Sequence, residues 1–119
     1  MEHIKIEKPW GYEIVWAKTE IYVGKILKIN PGGRLSRQYH AEKEETIYVN
    51  NGVLHLETGP NYQGDLIRKV KLYPGESFHI KPGLVHRFCA GKDASVELVE
   101  VSTPQLDDVI RLEDDYSRS

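Results

Sequence analysis

A chain of 119 residues, 39% of them hydrophobic, has room for one domain (1–119) with a single modest core and no reason to be disordered. Sixteen basic and eighteen acidic residues leave a net charge of -2, which gives no global field towards nucleic acid or an anionic membrane. The longest apolar runs are a few residues, far short of the roughly 20 that span a bilayer as a helix.

The N-terminal "MEHIKIEKPW" is charged and lacks the apolar stretch of a signal peptide. A cytoplasmic protein is expected, and the lone Cys89 fits a reducing compartment. As a small apolar-like side chain, Cys89 reads as core rather than nucleophile.

The first β-rich runs are "YEIVWA" (12–17) and "IYVGKILKI" (21–29), followed by the turn "NPGG" (30–33). "RLSRQYH" (34–40) and "EETIYV" (44–49) lead into "NNG" and then "VLHLET" (53–58). The loop "GPNYQG" (59–64) precedes "DLIRKVKLY" (65–73). After "PGE" come "SFHI" (77–80), the turn "KPG" (81–83), "LVHRF" (84–88) and "SVELVEVS" (95–102). Only "PQLDDVIRLEDDY" (104–116) has the mixed spacing of a helical turn. Many short strands between Gly, Pro and Asn turns predict an all-β sandwich or small barrel.

Side chains alternate faces along a strand, so Ser36, Gln38 and His40 share one. Glu45 shares its face with Ile47 and Val49, which places a carboxylate in the interior, while Glu42 and Glu44 are expected to face water. A buried unpaired carboxylate is costly, and a metal ion removes the objection. His86 follows the Pro82-Gly83 turn directly. Two His, one Glu and one Gln on separate strand pairs make a nitrogen and oxygen shell for one divalent ion per chain, zinc first, with cobalt, manganese, nickel or iron also suited.

These spacings resemble the cupin superfamily. Gly32, Gln38, His40, Glu45 and Gly52 fall at the spacing of its first motif, with Gln38 in place of a His. Gly75, Gly83 and His86 meet the second, with Pro82 one place late. Within cupins the chain is similar to the isomerase domain of type II phosphomannose isomerases. "KPWGYE", "GKILKINPGGRLSRQYH", "SFHIKPGLVHR", "ELVEV" and "DDVIRLEDDYSR" carry the likeness. Gln-x-His pairing is also a feature of zinc-dependent phosphomannose isomerases. The family's acidic-His-Trp is replaced here by Glu45-Thr46-Ile47, and the nucleotidyltransferase domain of many type II enzymes is not expected.

The resemblance implies a cupin jelly roll, an interconversion of mannose 6-phosphate and fructose 6-phosphate through a cis-enediolate, and a homodimer in which segment 1–30 is a candidate for strand exchange. It implies Gln38, His40, Glu45 and His86 as metal ligands, and Arg111 as a contact to phosphate or enediolate. Lys25 shares parity with Leu27 and Ile29 and is a candidate proton carrier, beside a metal-bound hydroxide. Ser36, Arg34, Lys81 and Arg87 are candidate sugar-phosphate contacts, and Arg37 and Arg118 further cations. His55 and His79 read as exposed or peripheral; Trp10 and Trp16 read as packing residues. Other enzymes of the superfamily (free-sugar isomerase, nucleotide-sugar isomerase or epimerase, iron dioxygenase) and a non-catalytic sugar-binding module are the alternatives.

Overall fold

Alternation of apolar and polar residues gives strands throughout, and the computed structural model, which describes residues 3–59 and 66–117, holds eleven of them and no helix among those residues. In chain order they are β1 (Ile4–Lys8), β2 (Gly11–Lys18), β3 (Val23–Ile29), β4 (Arg37–Tyr39), β5 (Glu45–Asn51), β6 (Leu54–Gly59), β7 (Arg68–Leu72), β8 (Ser77–Ile80), β9 (Val85–Ala90), β10 (Val96–Ser102) and β11 (Ile110–Glu113). They form one sheet in the order β1-β2-β3-β10-β5-β8 and a second in the order β11-β4-β9-β6-β7, with antiparallel pairing throughout.

Two differences from the sequence reading have physical causes. The segment 104–116 is a turn followed by β11, because Asp108 spends its carboxylate on neighbouring backbone amides rather than on a helix cap. β1 is an edge strand whose side chains are nearly all exposed, so it carries no buried face for periodicity to reveal. It pairs within the chain, from Ile4 opposite Val15 to Lys8 opposite Gly11. Much of the loop "GPNYQG" lies outside the described residues, as does Arg118.

The core lies between the sheets. Ile47 and Val49 of β5, Leu98 of β10, Ile29 of β3 and Leu54 and Leu56 of β6 are fully buried. Trp10 joins this cluster, while Trp16 lies on the outer face with its ring over Gly24. β9 is buried along its whole length. Its inward residues His86 and Phe88 face the core side, and its outward Arg87 is covered by the C-terminal segment through Asp115.

Two glycines set corners that position the site. Gly52 has φ +80, and a Cβ there would stand 2.4 Å from the Ser95 carbonyl oxygen, so the β5–β6 turn requires glycine. Gly83, at φ +85, donates its N–H to the His40 carbonyl at 2.7 Å and ties the β8–β9 turn to the end of β4. No helix of the described residues is long and apolar enough to cross a membrane.

Candidate metal centre

Gln38 on β4 and His86 on β9 are register partners, which puts both side chains on the inner face of the second sheet. His40 follows the end of β4, and Glu45 opens β5 on the opposing sheet. Donor atoms of His40, Glu45 and His86 lie within 4.8 Å of one another, and all three residues are buried. Nε2 of His40 stands 3.5 Å from Glu45 Oε1, and Nε2 of His86 stands 3.4 Å from the same oxygen.

Both imidazoles are oriented from behind. His40 Nδ1 is 2.6 Å from the Asp108 carbonyl, and His86 Nδ1 is 2.9 Å from the Leu84 carbonyl. A carbonyl accepts only, so each Nδ1 carries the proton, and in the neutral ring each Nε2 presents a lone pair. Both Nε2 atoms are buried without a hydrogen bond. Two lone pairs converging on a carboxylate repel unless a cation lies between them, so the donor set fits a divalent ion. Gln38 Oε1 accepts from Ser36 Oγ at 2.6 Å, which orients the amide and leaves that oxygen a second lone pair.

Burial opposes ionisation of Glu45, but without an ion the ring-protonated forms of His40 and His86, which can donate to it, together with the Lys43 charge, outweigh it and hold its carboxyl well below the usual carboxylate range. Asp108 locks the bend in front of it. Its carboxylate accepts the N–H groups of Ala41, Glu42 and Lys43 at 3.0, 2.6 and 2.9 Å, and those bonds, Glu42's first, lower its titration.

The centre opens into a cavity of about 550 Å³ between the sheets, a size that suits a small metabolite. Lys43 Nζ reaches Glu45 Oε2 at 3.1 Å and Glu100 Oε2 at 3.6 Å. Burial works against its charge, yet Glu100 and Glu45 prevail and raise its titration, so Lys43 is a cation at neutral pH. Burial, reinforced by the Glu45 charge, pushes Glu100 up to about 7. Lys25 is Glu100's register partner on β3, faces inward, and lies 3.4 Å from Glu13 Oε1.

Ser36, Gln38, Lys25 and Arg111 therefore line the same cavity as His40 and Glu45. Arg111 is the register partner of Gln38. Three other expected substrate contacts are elsewhere. Arg87 points to the opposite face of β9, because His86 and Phe88 take the inner one; it donates to Leu35 O at 2.8 Å and to Asp115 Oδ1 at 2.9 Å. Arg34 bridges β9 at Cys89 and pairs with Asp115 on that same outer side. Lys81 is exposed in the β8–β9 turn and does not line the cavity. Arg37 is buried against Glu113. His79 pairs with Glu44 at the surface, and His55 lines a second cavity of about 290 Å³ with Glu57 and Cys89. Burial, then Glu57, raises the Cys89 thiol to about 11, as a core cysteine requires.

Sequence reading missed Lys43, Glu100 and Glu13. The last two had a signal, since Glu100 alternates with Val96 and Leu98, and Glu13 with Val15. Lys43 lies in an irregular bend, where no periodicity exists to read.

The model of the mannose-6-phosphate isomerase C-terminal family matches residues 1–114. The chain belongs to that family. Xanthan biosynthesis protein XanB of Xanthomonas campestris pv. campestris is 29% identical over 121 residues, covering 98% of this chain and 24% of XanB. The chain thus spans about a quarter of such relatives. Capsular polysaccharide assembling protein CapF of Staphylococcus aureus superposes with a TM-score of 0.81 at 18% identity, over 94% of this chain and 34% of CapF. A sugar phosphate isomerase of the cupin superfamily from Silicibacter pomeroyi gives 0.66 at 22% identity, over 77% of this chain and 58% of its own. The fold is the all-β cupin jelly roll expected.

Proposed function

We propose that this domain interconverts mannose 6-phosphate and fructose 6-phosphate, with one divalent ion, zinc first, held by Gln38, His40, Glu45 and His86. The observation that carries the reading is the pair of buried Nε2 lone pairs aimed at Glu45, where His40 and Glu45 line a cavity that also holds acid and base groups.

Aldose–ketose isomerisation moves one proton between C2 and C1 and one between their oxygens. A bound ion would supply Lewis-acid stabilisation of negative charge on those oxygens. Lys43, held as a cation, donates hydrogen bonds towards the same charge. Glu100, titrating near neutrality, suits accepting and returning the carbon-bound proton, with its register partner Lys25 steadying the charge. Arg111, beside Gln38, is assigned to the enediolate end of the substrate.

The charge balance favours an anionic substrate. Among the described lining residues, Lys8, Lys25, Lys43 and Arg111 offset Glu13, Glu45, Glu100 and Asp107. A divalent ion then leaves an excess that a phosphate monoester, at about -1.5 to -2, neutralises.

The same reading carries a cytoplasmic homodimer. Ile14, Ile26, Val99 and Tyr48 form a cross-strand apolar row on the outer face of the first sheet, which supports a second copy there.

The test is elemental analysis of purified protein, followed by a coupled assay of fructose 6-phosphate formation. Stoichiometric divalent metal with turnover is expected. Protein that stays metal-free in metal-replete medium would sink the reading; bound metal without turnover of any hexose phosphate would favour a non-catalytic sugar-binding module.

A further inference from the structure

His40 at the end of β4 and Glu45 at the start of β5 belong to opposite sheets, and the bend 41–44 carries the chain between them. None of its residues lies in a strand, so no ladder fixes its shape. Its hold comes from far along the chain. β11 runs antiparallel to β4 with Ile110 opposite Tyr39 and Arg111 opposite Gln38, and the same register, continued back from β11, brings Asp108 beside Ala41.

Both halves of Asp108 are used there. Its main-chain carbonyl accepts the Nδ1–H of His40 at 2.6 Å. Its carboxylate accepts the successive N–H groups of Ala41, Glu42 and Lys43 at 3.0, 2.6 and 2.9 Å. Consecutive amides converging on one carboxylate form an anion nest, filled here by a side chain of the same chain. The nest ends at Lys43, whose Nζ reaches Glu45 Oε2 at 3.1 Å. Two short paths therefore run from Asp108 to the centre, one through the His40 ring and one through the bend and Lys43 to Glu45. Asp107 and Val109 line the cavity and Asp108 does not, so it acts on the centre only through the groups it holds.

We infer that Asp108 is a positioning residue of the metal centre: its carboxylate clamps the 41–43 bend, and the clamp keeps its own carbonyl against His40 and Lys43 against Glu45. The consequence for an ion rests on the metal reading of the site; the clamp rests on the hydrogen bonds alone.

The test uses two readouts on the full chain: zinc affinity by competition with a chromophoric chelator, and solvent exchange of the His40 Nδ1–H by NMR in metal-free protein. Wild type is compared with Asp108→Ala, Asp108→Asn, Lys43→Met, the Asp108→Ala/Lys43→Met double variant and the control Asp93→Ala, which removes an exposed carboxylate elsewhere. Asp108→Ala is expected to weaken zinc by about 10- to 100-fold. It should also speed exchange of the ring proton about tenfold or more, although the substitution leaves the main-chain acceptor in place. Lys43→Met should cost less affinity in the Asp108→Ala background than in wild type, since Lys43 is already released there. Asp108→Asn keeps the size and one accepting oxygen; it should show both effects in smaller measure, and it carries the test if Asp108→Ala does not fold. Asp93→Ala should show neither. Faster ring-proton exchange in the Asp108 variants of a protein that takes up no zinc upholds the clamp and defeats the metal reading. Zinc held as tightly by the Asp108 variants as by wild type, unaltered exchange of the ring proton, or fully additive penalties in the double variant would each overturn the inference.

Discussion

Lys43 Nζ lies 3.1 Å from Oε2 of Glu45, while the two histidines face Oε1 of the same carboxylate. One oxygen is thus left to the metal centre and the other is held by an ammonium ion. Lys43→Met keeps the stem and removes the charge. Purified Lys43→Met is expected to bind metal at saturating concentration, about 10- to 100-fold more weakly than wild type. On the proposed isomerase mechanism, in which this group neutralises charge at the reacting oxygens, its turnover should fall by about 10²-fold or more. Steady-state kinetics on the metal-saturated variant check this, and wild-type kcat would remove Lys43 from the mechanism.

The ion should also hold the two sheets together, because Glu45 belongs to one and His86 to the other. Ion at 100 times its dissociation constant should stabilise the fold by about 2.7 kcal/mol. Wild-type protein is expected to lose that increment with chelator, and His40→Ala and Glu45→Gln should never show it. Thermal melts with and without chelator decide it; equal stabilisation of His40→Ala would place the ion elsewhere.

The clustering of the candidate metal ligands was legible because those residues obey simple rules. Gln38 and His40 alternate, Glu45 shares parity with Ile47 and Val49, and Gly52 and Gly83 sit where positive φ is required. The outer face of β9 was not legible. Arg87 and Arg34 resemble any cavity arginine until the C-terminal segment is seen to deliver Asp115 to them from 28 and 81 residues away. Parity already placed Arg87 opposite His86, whereas the pairing with Asp115 is tertiary information with no local trace. Lys43 was hidden for the reverse reason, since the bend that buries it is shaped by Asp108, a residue 65 positions on.

Arg87 therefore serves stability rather than substrate. Its guanidinium is buried and satisfies Leu35 O and Asp115. Arg87→Ala leaves that carbonyl without its donor and uncovers β9, at an expected loss of about 2–3 kcal/mol. Metal content and KM should not move. Urea melts together with metal analysis test the assignment, and a raised KM in a fully stable variant would return Arg87 to the ligand.

Stability of the metal-free protein should carry a slope set by Glu100. Burial, then the Glu45 charge, pushes its carboxyl from 4.5 up to about 7, so between those values the folded state holds a proton that the unfolded chain has released. A raised folded value means stability that is fully present below about 4.5 and lost as pH rises through about 7. Each unit is worth about 1.4 kcal/mol, and sharing of the proton with Glu45 and Lys43 keeps the loss to roughly 3 kcal/mol at most. Neighbouring groups act in other windows. Glu45, held low, supports the fold above its ordinary range and gives way only in acid, while Lys43, held high, withdraws support only on strong alkalinisation. Glu100→Gln, which keeps the size and a hydrogen-bonding group, should flatten the slope between pH 5 and 8 and leave the variant more stable than wild type at about pH 8. Denaturation of chelated protein across that range reads the slope, and an unchanged slope in Glu100→Gln would assign the titration to another group.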